Sequence, residues 1–321
     1  MADFDVFNGD ADGICSLVQL RLDDPRDATL VTGVKRDISL LKRVRAASGD
    51  RVVALDISME KNIEPLKSIL DAGASVFYAD HHHAGEIPEH ENLESLINTA
   101  PEVCTSLLIN GRLKGRFAAW AVTGAFGDNL ETSARAAAAA AGLNDNVLPT
   151  LQKLGTYLNY NGYGPALEDL HFAPAELYGA VSQFDNPLDF VECGNGVFDK
   201  LEQGYLSDMA AAEGVKPVYE QPHAAVFMLP DAPWARRVSG VFSNDLVNQY
   251  PDRAHAVITE SASDTLLISV RAPLNRRSGA DEICRQFPTG GGRKAAAGIN
   301  ALPRSDLDTF IHVFSDYYLE N

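Results

Sequence analysis

Short apolar runs alternate with helical patterns over the first 130 residues, and this alternation limits the possible folds more than any other feature of the chain. Phe4–Phe7, Thr29–Val34, Val52–Ile57, Ser75–Ala79 and Leu93–Asn98 read as strands. Helical patterns lie between and after them near Ile14–Leu22, Ser39–Ala47, Lys61–Ala72 and Glu102–Arg112. Such alternation predicts βαβ units and a parallel sheet covered on both faces. Residues from about 133 to 215 read as mostly helical, beginning with the alanine-rich Ser133–Gly142 stretch. From about 220 the pattern changes, with strands at Ala224–Leu229, Ala254–Thr259 and Thr265–Arg271 and helices at Ser239–Gln249, Gly279–Gln286 and Ser305–Tyr318. The expected class is α/β. A parallel-sheet domain over 1–215 (core 1–130, helical part 131–215) precedes a smaller mixed α/β domain over 216–321, with the joint in Glu213–Pro222.

Parallel topology gives the acidic residues their meaning. The first strand runs into Asn8-Gly9-Asp10-Ala11-Asp12-Gly13, the third ends on Asp56, and the fourth ends on Asp80-His81-His82. The carboxyl ends of parallel strands share one edge of the sheet, where ligands usually bind. Three segments therefore deliver carboxylates and imidazoles to one rim. Carboxylates packed this closely repel unless a cation neutralises them. Oxygen ligands with one or two imidazoles suit manganese or magnesium, with zinc also compatible. Alone, Asn8–Gly13 is also what a strand-to-helix turn with an N-cap looks like, and His81-His82-His83 fits a solvated loop. Their joint placement at strand ends favours a metal site.

Composition narrows the substrate. The formal net charge of the 321 residues is −17, which repels phosphate backbones and argues against a processive enzyme on long nucleic acid. A phosphate-bearing substrate would need local cations. Between Arg271 and Lys294 the chain supplies Arg271, Arg276, Arg277, Arg285, Arg293 and Lys294 against only Asp281 and Glu282. There Gly290-Gly291-Gly292 would let backbone amides approach an anion, with a helix expected from Ala295. Gly155–Gly164, with three tyrosines, reads as a packed loop or as a base-stacking platform. Cys15, Cys104, Cys193 and Cys284 are widely spaced and suggest neither a zinc knuckle nor a redox motif. No run is long enough to cross a bilayer and the N-terminus does not read as a signal peptide, so a cytoplasmic protein is expected.

With Gly9-Asp10-Ala11-Asp12-Gly13, Asp56, Asp80-His81-His82, Gly127-Asp128-Asn129 and Gly290-Gly291-Gly292-Arg293-Lys294-Ala295-Ala296-Ala297-Gly298 in this order, the chain resembles the DHH phosphoesterases. The resemblance is to the branch with the DHH-associated C-terminal domain, which includes oligoribonucleases, exopolyphosphatase-like proteins and single-strand exonucleases, and it covers nearly the whole chain. It implies a DHH domain, then a substrate-binding domain, with one or two manganese or magnesium ions. Asp10 and Asp56 would hold the first ion, and Asp12, Asp56, His81 and Asp128 the second. Asp80 would orient His81 from behind, and His82 would face the phosphate and protonate a leaving group. Bound metal would activate water and neutralise phosphoryl oxygens. Arg271, Gly290, Gly291, Gly292, Arg293 and Lys294 would grip substrate.

The chain departs from the family pattern twice. Many relatives carry histidine four residues before the first aspartate, where this chain has Val6, leaving Asn8 as a substitute ligand. Arg293 stands where histidine usually follows the glycines, and arginine grips phosphate without shuttling protons. The expected activity is hydrolysis of a phosphoester or phosphoanhydride bond in a small oligonucleotide or nucleoside phosphate. Exopolyphosphatase or pyrophosphatase chemistry, or a catalytically degenerate nucleotide-binding regulator, are the alternatives. No membrane partner is expected, and a homodimer is compatible with the sequence.

Overall fold

The structure, a computed structural model, describes residues 1–261 and 264–320. The chain divides into two compact units, Met1–Glu202 and Gln203–Asn321.

In the first unit, β1 (Asp3–Phe7), α1 (Ala11–Asp23), β2 (Thr29–Val31), β3 (Arg51–Leu55), α2 (Met59–Asp71), β4 (Ser75–Asp80) and β5 (Leu93–Ile97) follow one another. The strands form one sheet in the order β2-β1-β3-β4-β5, every pairing parallel. Val6, Val52, Ala54, Val76 and Tyr78 are buried in one cluster with Leu66, Ile69 and Leu70 of α2. Burial on the sheet's faces explains why these strands read as near-continuous apolar runs. A helical part follows, comprising α3 (Thr105–Arg112), α4 (Ala118–Gly127), α5 (Glu131–Ala140), α6 (Leu148–Gly162), α7 (Pro174–Val181), α8 (Pro187–Cys193) and α9 (Val197–Ala212), the last of which crosses the division between the units.

Two expectations for this unit fail. The helix expected over Ser39–Ala47 is only a 3-10 turn at Leu40–Arg43. Leu40, Leu41 and Val44 enter the core, but Asn62 of α2 meets the local backbone, accepting from the Leu41 N–H at 3.0 Å and donating to the Ile38 carbonyl at 2.6 Å. A side chain there does the work of helical hydrogen bonds. Gly155–Gly164 is no loop, because α6 runs to Gly162. Its Tyr160 hydroxyl pairs with His171 Nε2 at 2.8 Å and Tyr157 donates to Glu202 at 3.0 Å, so the packing alternative holds for these two rings.

The second unit contains β6 (Pro217–Glu220), β7 (Ala224–Leu229), α10 (Pro233–Gln249), β8 (Ala254–Glu260), β9 (Thr265–Arg271), α11 (Ala280–Cys284), β10 (Gly290–Gly292), β11 (Ala296–Pro303) and α12 (Leu307–Glu320). The sheet order is β10-β11-β9-β8-β7-β6, with only β7 and β8 parallel. Val226, Ile258, Ile268 and Ile299 pack with Phe310 and Phe314 of α12. Pro217–Glu220, expected within the joint, is an edge strand. The helix expected from Ala295 is instead strand β11. Ala297, Ile299 and Leu302 are buried between more exposed neighbours, and this alternation, with pairing to β9 and β10, overrides the helical preference of alanine.

The fold is therefore a parallel-sheet α/β unit with a helical extension, followed by a smaller mixed α/β unit. Among the described residues no helix is long and apolar enough to cross a membrane.

Candidate metal centre

The centre forms where β1, β3 and β4 end. Asp10 is the N-cap of α1, and its carboxylate accepts the Gly13 N–H at 3.0 Å. Capping and site-building are thus the same act at this residue. A Cβ on Gly13 would lie 2.2 Å from the Asn8 carbonyl oxygen, so the tight return of the chain requires glycine. Asp12, in the first turn of α1, is fully buried. Its two oxygens accept the N–H groups of Thr105 and Ser106 at 2.8 and 2.7 Å. These are the first residues of α3, whose N-terminal dipole favours a carboxylate.

Asp56 follows β3 with φ of +57°. That left-handed conformation is uncommon for any residue but glycine and is found at functional sites. Thr105 Oγ1 donates to Asp56 Oδ1 at 3.3 Å. Asp128 is the C-cap of α4. A Cβ on Gly127 would lie 2.3 Å from the Ala11 Cβ, and one on Gly155 would lie 2.2 Å from the Thr123 carbonyl oxygen. The missing side chains let α4 approach α1 and α6 closely enough to bring Asp128 to the sheet edge.

His81 sits at the middle of this group. Its Nδ1 lies 2.6 Å from the Val103 carbonyl oxygen, which can only accept, so Nδ1 carries the hydrogen. Nε2 then turns toward Asp56 Oδ1 at 3.2 Å, Asp128 Oδ2 at 3.5 Å and Asp12 Oδ2 at 3.7 Å. This corrects one expectation: Asp80 does not orient His81. Asp80 Oδ1 holds His82 Nδ1 at 2.7 Å, and a backbone carbonyl orients His81. The alternating directions of side chains leaving a strand end separate two consecutive histidines, and Asp80 reaches the second.

Burial and mutual repulsion set the charge states. Burial, then repulsion from Asp10, Asp12, Asp128 and Asp80, drives the Asp56 carboxyl well above the usual carboxylate range. Burial, then Asp128 and Asp10, pushes Asp12 up to about 6 against the N–H groups that favour its charge. Burial also opposes ionisation of Asp10, but the ammonium of Lys35 outweighs it and holds Asp10 below the usual range.

These residues fit a divalent cation. Ligand atoms of Asp56, His81 and His82 lie within 4.8 Å of one another, as do those of Asp12, His81 and Asp128. A neutral imidazole nitrogen facing three carboxylate oxygens sets acceptors against acceptors. One proton would relieve only one of those contacts, whereas a shared cation relieves all three. Carboxylates with imidazole are ordinary ligands for manganese or magnesium.

The remaining expected residues are placed differently. The Asn8 amide donates to the Lys35 carbonyl at 3.1 Å. Val6 belongs to the apolar core. In the second unit, Arg271 Nε donates to Asn244 Oδ1 at 2.6 Å and its Nη1 to the Val270 carbonyl at 3.1 Å. Gly290–Gly292 form β10, and Arg293 and Lys294 lie in the turn into β11, closed by the Arg293 N–H donating to the Ala296 carbonyl at 2.8 Å.

Sequence reasoning missed Lys35, Thr105, Ser106 and Asn159. Lys35 lies just beyond β2, at the carboxyl end of a parallel strand, and that placement was the available signal. Thr105 and Ser106 hold Asp12 through backbone N–H groups, which leave no trace in residue type.

No protein-family model and no curated protein sequence matches the chain. Solved structures do. A manganese-bound exonuclease RecJ superposes with a TM-score of 0.56 at 17% identity, covering 100% of this chain and 90% of that one. RecJ of Thermus thermophilus with Mn2+ gives 0.61 at 16% identity, covering 100% of this chain, which spans 52% of that enzyme. A pGpG-specific phosphodiesterase, PggH of Vibrio cholerae, gives 0.52 at 14% identity, covering 98% and 100%. The protein shares the fold of these structures, a parallel-sheet unit with a helical extension and then a mixed α/β unit, as the resemblance to the DHH phosphoesterases implies.

Proposed function

We propose that the protein is a metal-dependent phosphoesterase that hydrolyses a short phosphorylated substrate, with a small oligonucleotide or nucleoside phosphate favoured. The observation that carries this is His81 Nε2 facing the carboxylates of Asp12, Asp56 and Asp128, a buried donor set that needs a cation. Manganese or magnesium would be held there by Asp12, Asp56, His81 and Asp128, and when bound would supply Lewis acidity toward a phosphoryl group and make water acidic enough to attack near neutral pH.

The chain's own residues would do the rest. Asp80 accepts the Nδ1 hydrogen of His82, which fixes the tautomer and leaves Nε2 as the working nitrogen. The His82 side chain is 21% exposed, so Nε2 can take up a proton from solvent and, as the imidazolium, give it to a leaving-group oxygen. In the second unit, Arg293 and Lys294 in the turn, with the Gly290–Gly292 backbone and Arg271, would hold a further phosphate of the substrate. Such contacts position the reacting bond without entering the chemistry.

The net charge of −17 favours a small anion over a long strand. Fold likeness to a pGpG-specific phosphodiesterase and to RecJ exonuclease supports an oligonucleotide or its terminal nucleotide. The test is a substrate panel with Mn2+: dinucleotides, nucleoside bisphosphates, pyrophosphate, polyphosphate and a long single strand. Turnover of dinucleotides or bisphosphates is expected. Turnover of polyphosphate alone would move the activity to phosphoanhydrides, and failure on the whole panel would sink the enzymatic role.

A further inference from the structure

No sequence motif includes Lys35, yet it stands at the middle of one half of the centre. Its backbone is fixed at both groups. The N–H donates to the Gly162 carbonyl at 2.8 Å, and the carbonyl accepts from the Asn8 amide at 3.1 Å. The side chain then reaches inward. Nζ pairs with Asp10 Oδ2, donates to Asn159 Oδ1 at 2.9 Å and lies 3.6 Å from Asp128 Oδ1. The Tyr163 ring centroid is 5.5 Å away. An ammonium has three donors and no acceptor, and here two carboxylates and an amide oxygen surround it while an aromatic ring faces it.

The centre therefore has two unlike halves. On one side the Nε2 acceptor of His81 faces carboxylate oxygens of Asp12, Asp56 and Asp128. On the other, Asp10, Asn159 and Asp128 already surround a positive charge. Among the described residues, both groups with ligand atoms close enough to share an ion contain His81, and neither contains Asp10. An ammonium and a divalent cation repel strongly at a few ångströms in a buried setting. Removing the lysine would leave the buried Asp10 carboxylate without its neutralising partner.

We propose that the Lys35 ammonium is a built-in cation that takes the place of one metal ion, so that the centre loads a single divalent ion, on the His81 side. This rests on the metal-dependent reading of the site. In this arrangement Asp10 serves Lys35 rather than a metal. Asn8 serves it too, by holding the lysine backbone.

The decisive measurement is Mn2+ stoichiometry by equilibrium dialysis with elemental analysis, alongside the electron paramagnetic resonance spectrum of the loaded protein. Two Mn2+ ions roughly 3.5–4 Å apart, the spacing of two-metal hydrolases, are magnetically coupled, whereas one isolated ion gives a six-line spectrum. The wild-type chain is expected to bind one ion with the uncoupled spectrum, and Lys35→Arg to do the same. Lys35→Met is expected to bind two. His81→Ala is expected to bind none, which tests the assignment even if Lys35→Met fails to fold. Two coupled ions in the wild type, one ion in Lys35→Met at unchanged affinity, or an ion retained by His81→Ala would each overturn the proposal. One bound ion with no turnover across the substrate panel would leave this inference standing and remove the phosphoesterase. Two bound ions with turnover would do the reverse.

Discussion

The two units carry charge in opposite ways. In the first, carboxylates are buried together and strain against one another, and most of the strain waits for a cation. In the second, three of the six cations that looked available have internal companions. Arg271 is tied to Asn244, Arg276 stacks on Tyr318 with its guanidinium carbon 5.2 Å from the ring centroid, and Arg285 lies 4.0 Å from Asp281. Even the glycine run has a packing reason, since a Cβ on Gly290 would lie 1.8 Å from the Cys284 carbonyl oxygen. A site under electrostatic tension points to chemistry, whereas a satisfied one points to support. The first unit should then control the rate constant, and the second the affinity.

The largest effect that can break this contrast is at Asp56, which faces both His81 and His82. Asp56→Ala should lower kcat by on the order of 10³-fold or more, together with loss of Mn2+ binding by dialysis. Substantial residual turnover would mean that the carboxylate cluster is not the working centre. His82→Ala should lower kcat by about 10²- to 10⁴-fold while Mn2+ is still bound, and Asp80→Asn by about 10- to 100-fold. Steady-state kinetics on the best panel substrate separate these two. If Asp80→Asn abolished metal binding instead, the link from Asp80 to His82 would not be its main role.

Next come Arg293→Ala and Lys294→Ala. Each should raise KM by about tenfold with kcat nearly kept, as expected for loss of uniform binding. A fall in kcat that matches the Asp56 variant would erase the division of labour between the units. The smallest effect is on stability. The folded Asp12 carboxyl sits at about 6, above its ordinary 3.8, so between those values the folded chain binds more protons than the unfolded one. Its stability therefore falls as pH rises through about 6. Chelated protein should gain a few degrees of melting temperature from pH 7 to pH 5, at about 2–4 °C per kcal/mol for a domain of this size. Mn2+-loaded protein should lose stability over the same range, because protons compete with the ion. Parallel profiles would show that the carboxylates do not hold the metal.

The same contrast explains what is legible in the chain alone. The parallel sheet is legible because both of its faces are buried, which leaves long apolar runs. Asp10, Asp56, Asp80 and His81 follow, since a strand end is a place and not only a pattern. Lys35 escapes because its role depends on Asp10 and Asn159, residues distant in sequence that only the tertiary fold brings together. The exchange of partners between His81 and His82 escapes because it turns on the Val103 carbonyl, and side-chain identity says nothing about where a carbonyl points. Strand β11 reads as a helix because alanine's local preference is visible in the sequence, while the neighbours β9 and β10 that pair with it are not.

The left-handed backbone at Asp56 has a final consequence. Glycine there would relieve about 1–2 kcal/mol of left-handed backbone strain, less what glycine gains in freedom in the unfolded chain, and would also remove a carboxylate that its neighbours repel. By folding criteria alone, aspartate is disfavoured both by its backbone conformation and by its charged neighbours. The aspartate is thus a cost to the fold that a bound cation would offset.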